Sequence, residues 1–174
     1  MSIGAGSVEV PAFDVDAAGA AAATVAHLLG SGRRRIAMVA GPPCAERPVA
    51  AFRAAVATAG LPVRTVAGDF DARAGEAGAE EVLTRWPDSD AIVASCDDVA
   101  LGALAVLRRH GRRVPGDVAV AGFDDAPVAE VTELTTATHP VERIAAAAVR
   151  ALLAPAPAEE TVFFPSELVV RRSA

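Results

Sequence analysis

The side chains able to do chemistry in this chain form a short list. Its 174 residues hold 16 basic and 22 acidic groups, a formal charge of −6, and there is no Lys, Asn, Gln or Tyr, so every basic side chain is Arg. Without lysine there is no Schiff-base amine and no phosphate-loop lysine, and no G-x-x-x-x-G-K-[ST] run occurs. ATP hydrolysis of the P-loop kind is therefore excluded. What remains is mainly carboxylate chemistry. The pairs Asp97-Asp98 and Asp124-Asp125 each follow an apolar run, and their acceptor-only oxygens suit hydroxyl or ammonium donors rather than phosphates. Adjacent acids on a strand or turn point in different directions, so neither pair reads as a general acid/base couple.

Cys44 and Cys96 form no C-x-x-C and call for neither a disulfide framework nor zinc. No His lies in local reach of Cys96, so it is not expected to be a nucleophile, and neither a metal nor a cofactor is expected. The negative balance argues against a chain that grips nucleic acid by itself. Arg33-Arg34-Arg35, Arg108-Arg109 and Arg112-Arg113 fall at the edges of predicted elements and read as solvated charge. Met1 to Ser7 lacks the pattern of a secretory signal, and apolar runs such as Ala17 to Leu29 fall short of the roughly 18 residues a membrane span needs. The expectation is a soluble cytoplasmic protein.

The elements that must position these groups alternate. Ile36–Ala40, Ala91–Ala94 and Val118–Ala121 are nearly all apolar, as strands buried on two faces should be, and weaker strands are expected near Val63–Val66, Leu134–Thr138 and Leu168–Arg171. Helices are predicted at about 17–29, 49–59, 72–85, 99–110 and 141–153, with Gly30 and Gly32, Gly60 and Gly111 as stop signals. Asp97 or Asp98 is expected to cap the fourth helix, and Pro140 to open the last. The predicted fold is α/β, a three-layer parallel sheet with helices on both faces. In such sheets ligands sit beyond the carboxyl ends of the strands, which gathers the loops starting at Gly41, Gly68, Ser95 and Gly122.

At these loops the sequence becomes specific. DAIVASCDDVALGAL from Asp90, then GRRVPGDV from Gly111 and VAGFDD, resembles the effector-binding core of the lac-repressor (LacI/GalR) family of transcription regulators. HLLGSGRRRIAMVAGP from His27, GDFDARAG from Gly68, ELTTATHP from Glu133 and the ending SELVVRRSA agree in order, so the resemblance runs from about Asp16 to Ala174. It implies a type I periplasmic-binding-protein-like fold, mainly the C-terminal lobe, that binds a small effector, a sugar or nucleoside-like molecule, and forms a homodimer. DNA would be read only through a helix-turn-helix absent from this sequence.

The family's chain path divides the sequence into an N-terminal tail or first-lobe remnant (1–15), the effector-binding lobe (16–139), a helix and crossing segment normally packed on the first lobe (140–160), and a returning C-terminal strand (161–174). Ile144, Ala148, Val149 and Leu152 would then form an apolar stripe without its sheet, left to be exposed, self-associate or dock elsewhere. A cleft that has lost most of one lobe is expected to bind weakly.

Residue by residue, Asp124 matches the family's effector-contacting aspartate, and Phe70 a position that packs an aromatic against a sugar or base. Arg47 is one residue off register, because aligning the family's Arg-x-x-Gly-Phe on Phe52 puts Pro48 in the arginine's place. Cys96 stands where the family usually has Asn, and His139 where it usually has Gln. Asp97 keeps the family's acid and reads as a helix cap before a contact. Val99, Leu101 and Leu104 match a dimer-contact segment, whereas Trp86 and His27 read as structural. Two other classes fit the same fold: a free-standing sugar-binding protein of a transporter, and an α/β sugar-processing enzyme.

Overall fold

The computed structural model describes residues 2–3, 12–42, 46–153 and 161–174. In chain order its elements are β1 (Ser2–Ile3), β2 (Ala12–Val15), α1 (Ala17–Gly30), β3 (Ile36–Val39), α2 (Glu46–Thr58), β4 (Thr65–Val66), α3 (Ala72–Arg85) and β5 (Ala91–Ala94). There follow α4 (Asp97–Arg109), β6 (Ala119–Asp124), α5 (Pro127–Val131), β7 (Thr135–Thr138), α6 (Val141–Leu152), β8 (Val162–Phe164) and β9 (Leu168–Val169). Cys44 and the crossing segment expected at 154–160 lie outside the described residues.

The apolar runs assemble the main sheet, in the order β4-β3-β5-β6-β7-β9, parallel except for β9. Alternation along β3 decides which layer each residue feeds. Ile36 and Met38 pack with Val25 and Leu28 of α1 and Phe52 and Val56 of α2 on one face. Ala37 and Val39 pack with Val82 of α3 and Val99, Val106 and Leu107 of α4 on the other. The expected three-layer α/β architecture is what the structure has, with one antiparallel edge strand added.

A second sheet, β1-β2-β8, is wholly parallel and small. It corrects the expectation that the helix after Pro140 has no sheet. Ile144 and Ala148 of α6 are buried against Phe13 and Val15 of β2, with Phe123 of β6 and Phe164 of β8 packed alongside. Val149 and Leu152, on the far side of the same helix, are exposed. The stripe therefore divides, because a narrow sheet can cover only one edge of it.

One capping expectation changes and another holds. The N-cap of α4 is Cys96, which makes no side-chain cap bond, and both aspartates lie inside the helix's first turn. Pro140 does stand at the N-cap of α6. Trp86, read from the sequence as structural, closes α3 with Arg85 and Arg64 over its ring at 4.5 and 5.9 Å.

Candidate functional site

The strand order reverses direction between β3 and β5: from β3 the chain steps outward to β4, then returns to the other side. That switch point parts the loops and opens a crevice at the carboxyl ends of the strands. The cleft there has a volume of about 610 Å³. Its floor is Met38 of β3, Val93 and Ala94 of β5 and Gly122 of β6. The opposite wall comes from the small sheet and the start of α1, through Asp14, Val15 and Ala17. The cleft is thus not one-sided; residues 12–17 supply part of a second side.

Five of the six predicted ligand residues line this cleft: Asp124, Phe70, Arg47, Cys96 and His139. Asp124 ends β6 at φ 113°, a region L-residues rarely adopt, and Asp125 follows at φ 55°. This bend turns the two neighbours apart. Asp125 pairs with Arg171 at 2.7 Å, while the Asp124 carboxylate stays in the cleft with its Oδ1 3.4 Å from His139 Nδ1. The His139 ring lies 5.8 Å from that of Phe123.

Phe70 is 46% exposed and reaches over the loop after β3, where any Cβ at Gly41 would strike its ring. Arg47, in the first turn of α2, is held from the other sheet: its Nη1 is 3.3 Å from Asp14 Oδ2, and its guanidinium sits 5.2 Å from the Phe163 ring. The Cys96 thiol is pushed up from its ordinary pKa, by burial first and then by the nearby Asp124 and Asp98 charges, so the thiolate is disfavoured.

Asp97 is the exception. It does not line the cleft and it caps no helix end. At 1% exposure, its carboxylate accepts hydrogen bonds from the Thr136 hydroxyl and the Ala126 N–H, tying α4 to β7 and the start of α5. Burial raises its pKa first, with the Asp124 and Asp125 charges adding to the rise and the two hydrogen bonds opposing it. Among the interface candidates, Val99 is fully buried against α3 and offers no surface, whereas Leu101 and Leu104 are half-buried.

Residue-by-residue reading missed several polar lining groups, among them Asp14, Glu46, Ser95 and Asp98. Ser95 Oγ is enclosed and has no hydrogen-bond partner among the described residues. A hydroxyl in that state can donate or accept toward whatever enters. Position just past the end of β5 was the available signal for Ser95 and Asp98.

An open sheet with a switch-point cleft, walled on its far side by a second parallel sheet, defines a type I periplasmic-binding-protein-like domain. Comparison with known proteins agrees: the periplasmic binding protein-like domain family matches residues 25–174, and the chain belongs to that family. It is similar to the HTH-type transcriptional regulator CelR of Thermobifida fusca, 38% identical over 80% of this chain and 44% of that protein. MalR of Streptomyces coelicolor is 37% identical over 95% of this chain and 52% of its own length. Among solved structures, the CelR–cellobiose complex superposes with a TM-score of 0.87 at 34% identity, over 95% of this chain and 54% of that one. A LacI transcriptional regulator from a Rhodococcus species gives 0.90 at 31%, over 97% and 66%. The LacI-type resemblance read from the sequence therefore holds for family and fold. The chain spans about half the length of the curated relatives it matches.

Proposed function

We propose that this chain is the effector-binding part of a LacI-type transcriptional regulator, and that its cleft takes a hydroxyl-rich small molecule, a sugar or sugar derivative. The observation that carries the reading is Asp124: a carboxylate held at a strained φ and presented at the switch point, beside an exposed aromatic and a hydroxyl, that of Ser95, without a partner among the described residues. Strain at a ligand-facing residue persists when function requires that residue there. A sugar would find few contacts here: carboxylate and serine oxygens for its hydroxyls, and the Phe70 face for its apolar ring surface.

The same reading makes the protein a binder rather than an enzyme, and a cytoplasmic one that dimerises through a surface including Leu101 and Leu104 of α4. Its support is the relatives' description as transcriptional regulators. No described helix is long and apolar enough to cross a membrane. Residues 16–139 and 165–174 then form the effector lobe, while β2 and β8, with α6 packed on them, belong to the first lobe; of the returning segment expected over 161–174, only β9 rejoins the main sheet, because β8 pairs with β2.

Thermal-shift and calorimetric titration of the chain with cellobiose and maltose tests the proposal. Saturable binding that raises Tm and is lost in Asp124→Ala is the expected outcome. Turnover of either sugar, or binding indifferent to Asp124, would overturn it.

A further inference from the structure

We propose that the cleft selects an amino sugar, a polyhydroxylated ring bearing a primary ammonium, over its neutral counterpart and over phosphorylated sugars. The inference rests on the effector reading above and narrows it. It begins with the ionisable groups around the cavity: four carboxylates, Asp14, Glu46, Asp98 and Asp124, face it with one guanidinium, Arg47, and one imidazole, His139, whose Nδ1 is 3.4 Å from Asp124 Oδ1 and which leaves Glu46 and Asp98 without a basic neighbour. Arg47 is already committed to Asp14 at 3.3 Å. Glu46, Asp98 and Asp124 are left with no arginine within ion-pair distance among the described residues. Nor do residues 1, 4–11, 43–45 and 154–160 hold a basic side chain that could reach in.

Position locates this charge. Asp98, in the first turn of α4, and Asp124, at the end of β6, border the same cleft on either side of Cys96. The acids of β6 and α4 therefore act on one region rather than on separate surfaces. The walls around them are apolar, from Val15, Ala20, Met38 and Val93. Such walls keep field lines inside a cleft instead of letting water spread them.

The cavity, the exposed Phe70 face and the enclosed Ser95 hydroxyl point to a ring-shaped polar ligand independently of the acids. Sugar hydroxyls would satisfy these oxygens but leave the negative charge uncompensated. A phosphate would meet like charge with only a committed arginine to receive it. An ammonium compensates the charge, forms charge-assisted hydrogen bonds to the carboxylates, and is tolerated beside an aromatic face.

Calorimetry of the chain with three probes decides the matter: the β-1,4-linked glucosamine dimer at a pH where its amines are protonated, cellobiose, and glucose 6-phosphate. The amino sugar is expected to bind about tenfold more tightly than cellobiose at low salt, with glucose 6-phosphate the weakest. The advantage should shrink between about 20 mM and about 200 mM salt, as screening weakens exposed charge interactions. In Asp98→Asn the ratio of amino-sugar to cellobiose affinity should fall at least about threefold. Cellobiose equal to or tighter than the amino sugar, or a ratio untouched by Asp98→Asn, overturns the selectivity and leaves the effector reading standing. Binding of none of the three overturns both.

Discussion

The Thr136 hydroxyl donates to Asp97 Oδ1 at 2.6 Å, and the Ala126 N–H donates to Oδ2 of the same carboxylate at 2.8 Å. One buried acid thus fastens the helix that carries Asp98 to the strand beside the one that carries Asp124. Asp97→Ala leaves two buried donors without an acceptor, so a loss of about 2–4 kcal/mol in chemical denaturation is expected.

Because Asp97's pKa is raised in the folded chain, its ionisation opposes folding. The opposition is absent below the ordinary value of about 3.9 and grows as pH rises through the folded pKa. Asp97→Asn imitates the neutral acid. Its stability relative to the parent should therefore shift in the variant's favour between about pH 4 and pH 7, measured by urea denaturation at several pH values. A difference that stays flat, or moves the other way, contradicts the assignment.

α3 and α4 cross with their backbones nearly touching. A Cβ at Gly102 would strike the Ala72 carbonyl and come within 2.6 Å of the Glu76 nitrogen, and one at Gly75 would meet the Val99 carbonyl. Neither obstacle is a flexible side chain. Gly102→Ala should cost about 1–3 kcal/mol despite the better helix propensity of alanine, and thermal unfolding reads it directly.

Much of this fold was legible because doubly buried strands need unbroken apolar runs: β3 and β5 announce themselves in IAMV and AIVA. The small sheet was not. β8 is short and largely exposed, so burial wrote no pattern into it. The cleft was legible at Asp124, where a strand end, an acid and a family motif coincide. It was obscure at Asp97-Asp98, since a linear reading does not say which of two adjacent helix-start acids turns inward. The Arg47 register question is resolved only in space: its partner Asp14 is 33 residues away, on the other sheet.

His139 contributes a ring tilted against that of Phe123 and one nitrogen toward Asp124. An amide at this position could donate to Asp124 from its nitrogen and accept from a ligand hydroxyl at its oxygen, two atoms on one short end, whereas the imidazole that uses Nδ1 toward Asp124 has its acceptor, Nε2, on another edge of the ring. His139→Gln is expected to keep the fold and improve affinity for a neutral sugar by about threefold to tenfold, a gain of one hydrogen bond. Calorimetry with cellobiose measures it; weaker binding would show that the imidazole itself makes the contact.

Asp124 holds its backbone at φ 113° for the sake of where its carboxylate points. Such a conformation costs an L-residue about 1–3 kcal/mol, whereas glycine adopts it freely. Asp124→Gly removes that strain but enlarges the unfolded ensemble, which takes back about 0.5–1 kcal/mol. Among the described residues its side chain meets one partner, His139, at a long 3.4 Å, so little is lost from the fold itself. The variant should therefore be as stable as the parent or more so, by up to about 2 kcal/mol, while effector binding disappears. Denaturation and titration on the same preparation separate the two effects. A destabilised Asp124→Gly would mean that the carboxylate holds the fold together, and the case for it as a ligand group would fall with that result.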